Sequence, residues 1–234
     1  METGTNLPYV RSVISGEFRQ VDRVLGIILA RKGSKSVPGK NMAMFGSVPL
    51  ITRTIRSAKE CRLFDDIVVS TDWPEILSIA NAEGVSFIKR PDELSGDDVT
   101  SEACIAHVLE TFAGYDIVVL VQNTTPFHNP EDMAKIIDLV SNGYASAVAV
   151  CETHKYRWTS NGESIQPECH DRKRRQDRQP YLEEAGGLYG FRSKDFIENG
   201  TMFCEPVGAV TVSWLSGIDI NTHGDMALAR MLSG

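Results

Sequence analysis

No stretch of this chain stays apolar for the roughly 18 residues that a helical membrane span needs. The opening METGTNLPYVRSVISGEFRQVDR has no apolar core of the secretory-signal kind. Residues 1–22 are polar and weakly patterned, so a flexible leader is expected, with a short helix over Val10 to Phe18 as the alternative. A basic excess is also missing. The net charge is −7, which argues against a general nucleic-acid binder, because phosphate contacts need surplus Lys and Arg. Cysteine is sparse: five residues, at 61, 104, 151, 169 and 204, odd in number and scattered. That fits a reducing, cytoplasmic setting rather than a disulfide framework. Cys151 and His154 have C-x-x-H spacing, with Cys169 and His170 further on. A structural zinc site draws four ligands, usually from two tight pairs, so ordinary thiols are the better reading. Two familiar phosphate signatures are absent too. Five residues, not four, separate Gly33 from Gly39, and Lys40 is followed by Asn41 rather than a hydroxyl residue, so this is no Walker loop. The G-x-G-x-x-G pattern does not occur.

What is present is an ordinary globular composition, 42% hydrophobic and 24% charged. From Val24 the chain alternates short apolar runs with amphipathic ones. Strands are expected at Val24–Ala30, Ile67–Ser70, Val85–Ile88, Asp116–Gln122, Ala145–Cys151, Gly187–Arg192 and Ala209–Trp214. Helices are expected from Pro49, Pro74, Asp98 or Thr100, Pro130, Ser193 and about Gly224. This rhythm predicts one α/β domain over 23–234, a three-layer α/β/α sandwich around a mostly parallel sheet. The rhythm breaks at Glu152–Glu184, a polar, turn-rich arm (about 152–185) that carries Arg172, Lys173, Arg174, Arg175 and Arg178.

Polar segments at strand ends should meet at one rim of such a sheet, where open α/β folds bind ligands. The first, after Leu29 and Ala30, reads Arg31-Lys32-Gly33-Ser34-Lys35 and continues to Gly39-Lys40-Asn41. Glycines let backbone N–H groups approach an anion, and Arg31, Lys35 and Lys40 supply charge for a polyphosphate. This stretch resembles the opening signature of the acylneuraminate (CMP-sialic acid) cytidylyltransferases: an apolar strand, Ala-Arg, Gly-Ser-Lys, a spacer and Lys-Asn. The resemblance continues through Ser70-Thr71-Asp72, Arg90-Pro91 with Thr100-Ser101, Gln122-Asn123-Thr124-Thr125-Pro126, Arg174-Arg175-Gln176-Asp177 and Asp219-Ile220-Asn221. It covers nearly everything from Val24 onward.

The resemblance implies a Rossmann-like sheet of the nucleotide-diphospho-sugar transferase type. It implies CTP and an acidic nine-carbon keto sugar as substrates, Mg²⁺ as cofactor, and a homodimer built on the inserted arm. Nucleotide binding would fall to Leu29, Ala30, Arg31, Gly33, Ser34, Lys35, Lys40, Asn41, Arg90, Thr100 and Ser101. Sugar binding would fall to Gln122, Thr124, Thr125, Arg174, Arg175, Gln176 and Glu184. Arg31, Lys40 and Asp219 would act on the reacting phosphates, and Asp219 with Asn221 would hold the metal. Two departures stand out. Glu184-Ala185-Gly186 replaces the family's Glu-Asn-Gly, and Asn221 replaces the second carboxylate of Asp-Ile-Asp, which removes one charge from the metal site. Activation of legionaminic, pseudaminic, KDN or Kdo acids is the nearest alternative, and a non-catalytic nucleotide-binding subunit is the other.

Overall fold

A computed structural model describes residues 22–165 and 172–233. Residues 1–21 of the expected leader and the Cys169–His170 pair lie outside them, while Asp22 at its end pairs with Arg192. The apolar run of β1 (Val24–Leu29) is the hub of a seven-stranded sheet. A six-residue run buried on both faces can sit only in the middle of a covered sheet. β1 lies parallel between β4 (Asp66–Thr71) and β6 (Ile117–Val121), and β5 (Ser86–Lys89) adds a parallel edge beyond β4. On the other side, β8 (Tyr181–Arg192) runs antiparallel to both β6 and β7 (Ser146–Thr153), and β9 (Val207–Thr211) pairs parallel with β7. The strand order is β5-β4-β1-β6-β8-β7-β9.

Alternate residues of each central strand serve opposite layers, as a period of two requires. Ile28, Val69 and Val119 face Ile51 and Ile55 of α1 (Leu50–Cys61), Ile76 of α2 (Pro74–Ala82) and Ile136 of α4 (Pro130–Ser141). Ile27, Val68 and Val118 face Ile105 and Val108 of α3 (Ser101–Thr111) and Phe196 of α5 (Ser193–Asn199). Gly190 of β8 lets α4 lie close: a Cβ there would stand 2.4 Å from Ile136 Cγ2. A third cluster positions the site. Val37 from the glycine-rich loop and Phe45 of the hairpin β2 (Met44–Phe45)–β3 (Val48–Pro49) pack on Ile218 and Ile220. Met226 and Ala229 of α6 (His223–Leu232) complete that cluster. The C-terminal segment is thereby fastened beneath the loop.

Two features differ from the sequence expectation. The hairpin β2–β3 was not expected, because two-residue strands leave no periodic signal. The arm is also shorter than its polarity suggests. β7 continues to Thr153 and β8 begins at Tyr181, paired Thr153↔Tyr181 through Val150↔Glu184. The register shifts between Val148 and Val150, opposite Gly186, which has φ 71°. At this end of the ribbon Tyr181, Leu182 and Glu184 are exposed.

Candidate active site

The loop after β1 and the segments after β5 and β6 enclose an open cleft of about 420 Å³. Leu29, Arg31, Gly33, Ser34, Lys35, Lys40, Asn41, Arg90, Thr100, Ser101, Gln122 and Thr124 all line it. Ser36, Asp97, Asp98, Val99 and Cys104 line it as well, and the motif reading had passed over them.

The loop is held in shape by its own polar groups. Asn41 is 5% exposed; its amide donates to Arg31 O at 2.8 Å, and its side-chain oxygen accepts from the Asn123 amide at 2.9 Å. Lys32 N donates to Asp72 Oδ1 at 2.7 Å, which binds the far side of the loop to the end of β4. Gly39 has φ 71°, a conformation that favours glycine, and it turns the chain into the 3-10 turn Lys40–Met42. Ala30 is buried behind this layer, with its oxygen accepting from Thr71 Oγ1.

Lys40 crosses the cleft and donates to Ile220 O at 2.9 Å. Burial pushes its pKa down, Asp219 pulls it up and Arg31 pushes it down again, so a cation, a carboxylate and a second cation share one neighbourhood. Asp219 Oδ2 accepts from the Asn221 amide at 2.7 Å. Its Oδ1 is buried with no hydrogen-bond partner. An orphaned carboxylate oxygen beside the loop that carries Lys40 fits a hard cation such as Mg²⁺. The described residues hold no cluster of three or more His, Cys, Asp or Glu that could hold a metal without help, so substrate phosphates would have to complete the coordination.

Arg90, which also lines the cleft, is 3% exposed. Its Nε donates to Ser70 Oγ at 3.2 Å and its Nη2 to Ser70 O at 2.9 Å. Burial lowers its pKa, yet a guanidinium keeps its charge, and its remaining donors have no partner among the described residues. Thr100 rather than Asp98 caps α3, accepting from Ala103 N at 3.2 Å, which places Ser101 on the first turn facing the cleft.

Several expected sugar-binding residues are elsewhere. Arg174, Arg175 and Gln176 sit exposed around a 3-10 turn and do not line the cleft; Arg174 pairs with Asp177 at 2.8 Å. Thr125 is fully buried behind it, with Oγ1 unpartnered. Glu184 accepts a short hydrogen bond from Tyr189 Oη, whose pKa is pushed up by burial first and then by this contact. Ala185 packs into the apolar layer against α4, so this position offers nothing to a sugar. His128 was missed altogether. Its Nε2 lies 2.7 Å from Gln122 O, and burial lowers its pKa to about 4, so the neutral ring donates to that carbonyl and fixes the turn carrying Gln122 and Thr124. No spacing rule reports a contact of this kind.

A ligand cleft at strand carboxyl ends, floored by a basic loop, defines the class of doubly wound α/β protein in which the sheet supplies the frame and its loops the chemistry. A family model described as Cytidylyltransferase matches residues 25–165, and the chain belongs to that family. It is 34% identical over 194 residues to N-acylneuraminate cytidylyltransferase A of Danio rerio, covering 79% of this chain and 44% of that protein. It therefore spans less than half the length of that relative. It is 32% identical over 222 residues to CMP-N,N'-diacetyllegionaminic acid synthase of Legionella pneumophila, covering 90% of this chain and 96% of that one. Among solved structures, a CMP:2-keto-3-deoxy-manno-octonic acid synthetase complexed with CTP superposes with a TM-score of 0.70 at 17% identity, covering 90% and 98% of the two chains. At that identity the likeness is one of fold.

Proposed function

We propose that the cleft transfers a cytidylyl group from CTP to the anomeric hydroxyl of a sialic-acid-like nonulosonic acid. The hydroxyl oxygen attacks the α-phosphorus, the bond to the β-phosphate oxygen breaks, and pyrophosphate leaves. The observation that carries this reading is the convergence on one cleft of Arg31, Lys35 and Lys40 from the loop after β1 with Arg90 and Ser101 from the segments after β5, while Asp219 lies outside the cleft lining, next to the Ile220 carbonyl that Lys40 holds. Such a layout suits a triphosphate on the basic loop and a base beside Arg90 and Ser101.

Most of the work in this chemistry is positioning and charge neutralisation. Lys40 and Arg31 hold the phosphates, and the tie from Lys40 to Ile220 O keeps the ammonium over the reacting end. Arg90, anchored on Ser70, offers its remaining donors to the base carbonyl. Gln122 and Thr124 offer donors and acceptors to the sugar from a turn that His128 fixes. Mg²⁺, when bound, would neutralise phosphate oxygens and acidify the attacking hydroxyl. Asp219 is the residue to hold it, and Asn221 orients that carboxylate. Arg174, Arg175 and Gln176 are assigned to the sugar carboxylate only by family resemblance.

Activation of N,N'-diacetyllegionaminic acid is the second reading, supported by the relative that matches along nearly its whole length. A homodimer through the arm is supported by Trp158, Ile165 and Leu182, which stand 45%, 60% and 51% exposed there. A cytoplasmic setting is supported by the free thiols of Cys104, Cys151 and Cys204. Pyrophosphate release from CTP, measured across a panel of keto acid sugars, tests the function; a lack of turnover with all of them leaves only the non-catalytic alternative.

A further inference from the structure

The segment between the 3-10 turn Asp92–Leu94 and α3 carries a carboxylate that the reaction does not call for. Asp97 Oδ1 lies 2.5 Å from Arg31 Nη1, and its Oδ2 lies 2.9 Å from Lys35 Nζ. One carboxylate thus neutralises two of the three cations that line the phosphate end of the cleft, while the third, Lys40, is turned to Ile220 O. The hydrogen bonds of Asp97 to Lys35 and Arg31 depress its pKa, so it is ionised wherever the protein is folded near neutrality.

The backbone around Asp97 is tied at both ends. Ser95 N donates to Asp92 O at 3.0 Å and its Oγ to Pro91 O at 3.0 Å; at the far end Thr100 caps α3. Asp97 and Asp98 form a turn between these two ends. A Cβ on Gly96 would meet only Val99 Cγ2, at 3.6 Å, so the turn has room to rotate. The side chain of Asp97 joins this segment to the loop after β1 through Arg31 and Lys35.

We infer that Asp97 is an internal counter-anion of the phosphate-binding loop, which an incoming polyphosphate must displace, so that this residue sets how tightly the cleft holds triphosphate and pyrophosphate. The inference rests on the reading of the cleft as a triphosphate site. A carboxylate and a polyphosphate cannot share the same two cations without like-charge repulsion. Binding then exchanges one set of ion pairs for another. The residue weakens ground-state affinity for the nucleotide and speeds the departure of pyrophosphate, and its segment swings aside as the anion enters.

The test is calorimetric titration of inorganic tripolyphosphate and of CTP into the wild-type protein, Asp97→Asn and Asp97→Glu, at one ionic strength. Asp97→Asn is expected to bind tripolyphosphate about three- to tenfold more tightly, the scale of one or two partly exposed ion pairs. Asp97→Glu should stay near wild type. In an Arg31→Ala background the effect of Asp97→Asn should shrink, which a purely structural role for Asp97 would not produce. In turnover, Asp97→Asn should lower KM for CTP and the inhibition constant of pyrophosphate without raising kcat. Unchanged or weaker tripolyphosphate binding by Asp97→Asn overturns the inference, since Asp97 would then assist the anion. So does a failure of tripolyphosphate to bind either protein. If CTP binds no better than tripolyphosphate while Asp97→Asn still tightens both, the cytidylyl reading falls and the counter-anion stands.

Discussion

Lys40 Nζ donates a 2.9 Å hydrogen bond to the carbonyl oxygen of Ile220, 180 positions further along the chain. That contact ties the phosphate-binding loop to the segment holding Asp219. Lys40→Ala is expected to lower kcat/KM by about a hundred- to a thousandfold, the scale of a charge-assisted contact worth about 3–4 kcal/mol in the transition state. Because burial lowers the Lys40 pKa, the protonated, active form is lost at a lower pH than for an ordinary lysine. Lys40→Arg should therefore move the alkaline limb of the pH–rate profile upward. A rate within about threefold of wild type for Lys40→Ala removes the phosphate role.

Arg90 supports the end of β4 and is the proposed base-reading residue. Its Nη2 holds Ser70 O while its free donors face the cleft. Arg90→Ala should raise KM for CTP and narrow the preference for CTP over UTP, because cytosine and uracil differ in the donors and acceptors they present. Competition between the two nucleotides in initial-rate assays measures this. Unchanged selectivity assigns base reading elsewhere.

Asn221 donates to Asp219, so the proposed metal site would carry a single negative charge from this motif. Asn221→Asp should shift half-saturation to lower Mg²⁺ without loss of rate. Asp219→Asn should cost far more than tenfold in rate, as it removes the sole carboxylate of the motif. Initial rate against free Mg²⁺ at fixed CTP separates the three proteins, and coincident curves for wild type and Asp219→Asn would move the metal elsewhere.

His128 makes stability depend on pH. Its folded pKa is about 4 and its ordinary value 6.5, so between those values the unfolded chain binds the extra proton. Stability therefore rises with pH across that window and is lost as pH falls from 6.5 to about 4, by on the order of 2–3 kcal/mol. Urea melts at pH 4.5 and 7 for wild type and His128→Gln check this; the variant should show a smaller difference between the two.

The parallel half of the fold was legible because buried parallel strands are continuous apolar runs and their helices begin at Pro74, Thr100 and Pro130 with recognisable caps. That Arg31, Lys35 and Lys40 would line one cleft was legible for a related reason: they lie on one loop whose spacing has a pattern. The direction of β8 was not, since a strand's sequence does not encode which neighbour it meets. Asp97 and His128 were missed because each acts on a partner distant in sequence, Arg31 and Gln122, through contacts that only the folded chain creates. Arg174 and Arg175 were legible as a motif, yet exposure on the arm keeps them off the cleft of their own chain.

The central claim is cytidylyl transfer, and its most direct test is pyrophosphate release from CTP with N-acetylneuraminate or N,N'-diacetyllegionaminate at saturating Mg²⁺. Wild type should release pyrophosphate in step with formation of a CMP-sugar, and Lys40→Ala at the same nucleotide concentration should release at least about a hundredfold less. CTP binding without pyrophosphate release, with every keto acid sugar supplied, would contradict the account and leave a nucleotide-binding protein without this reaction.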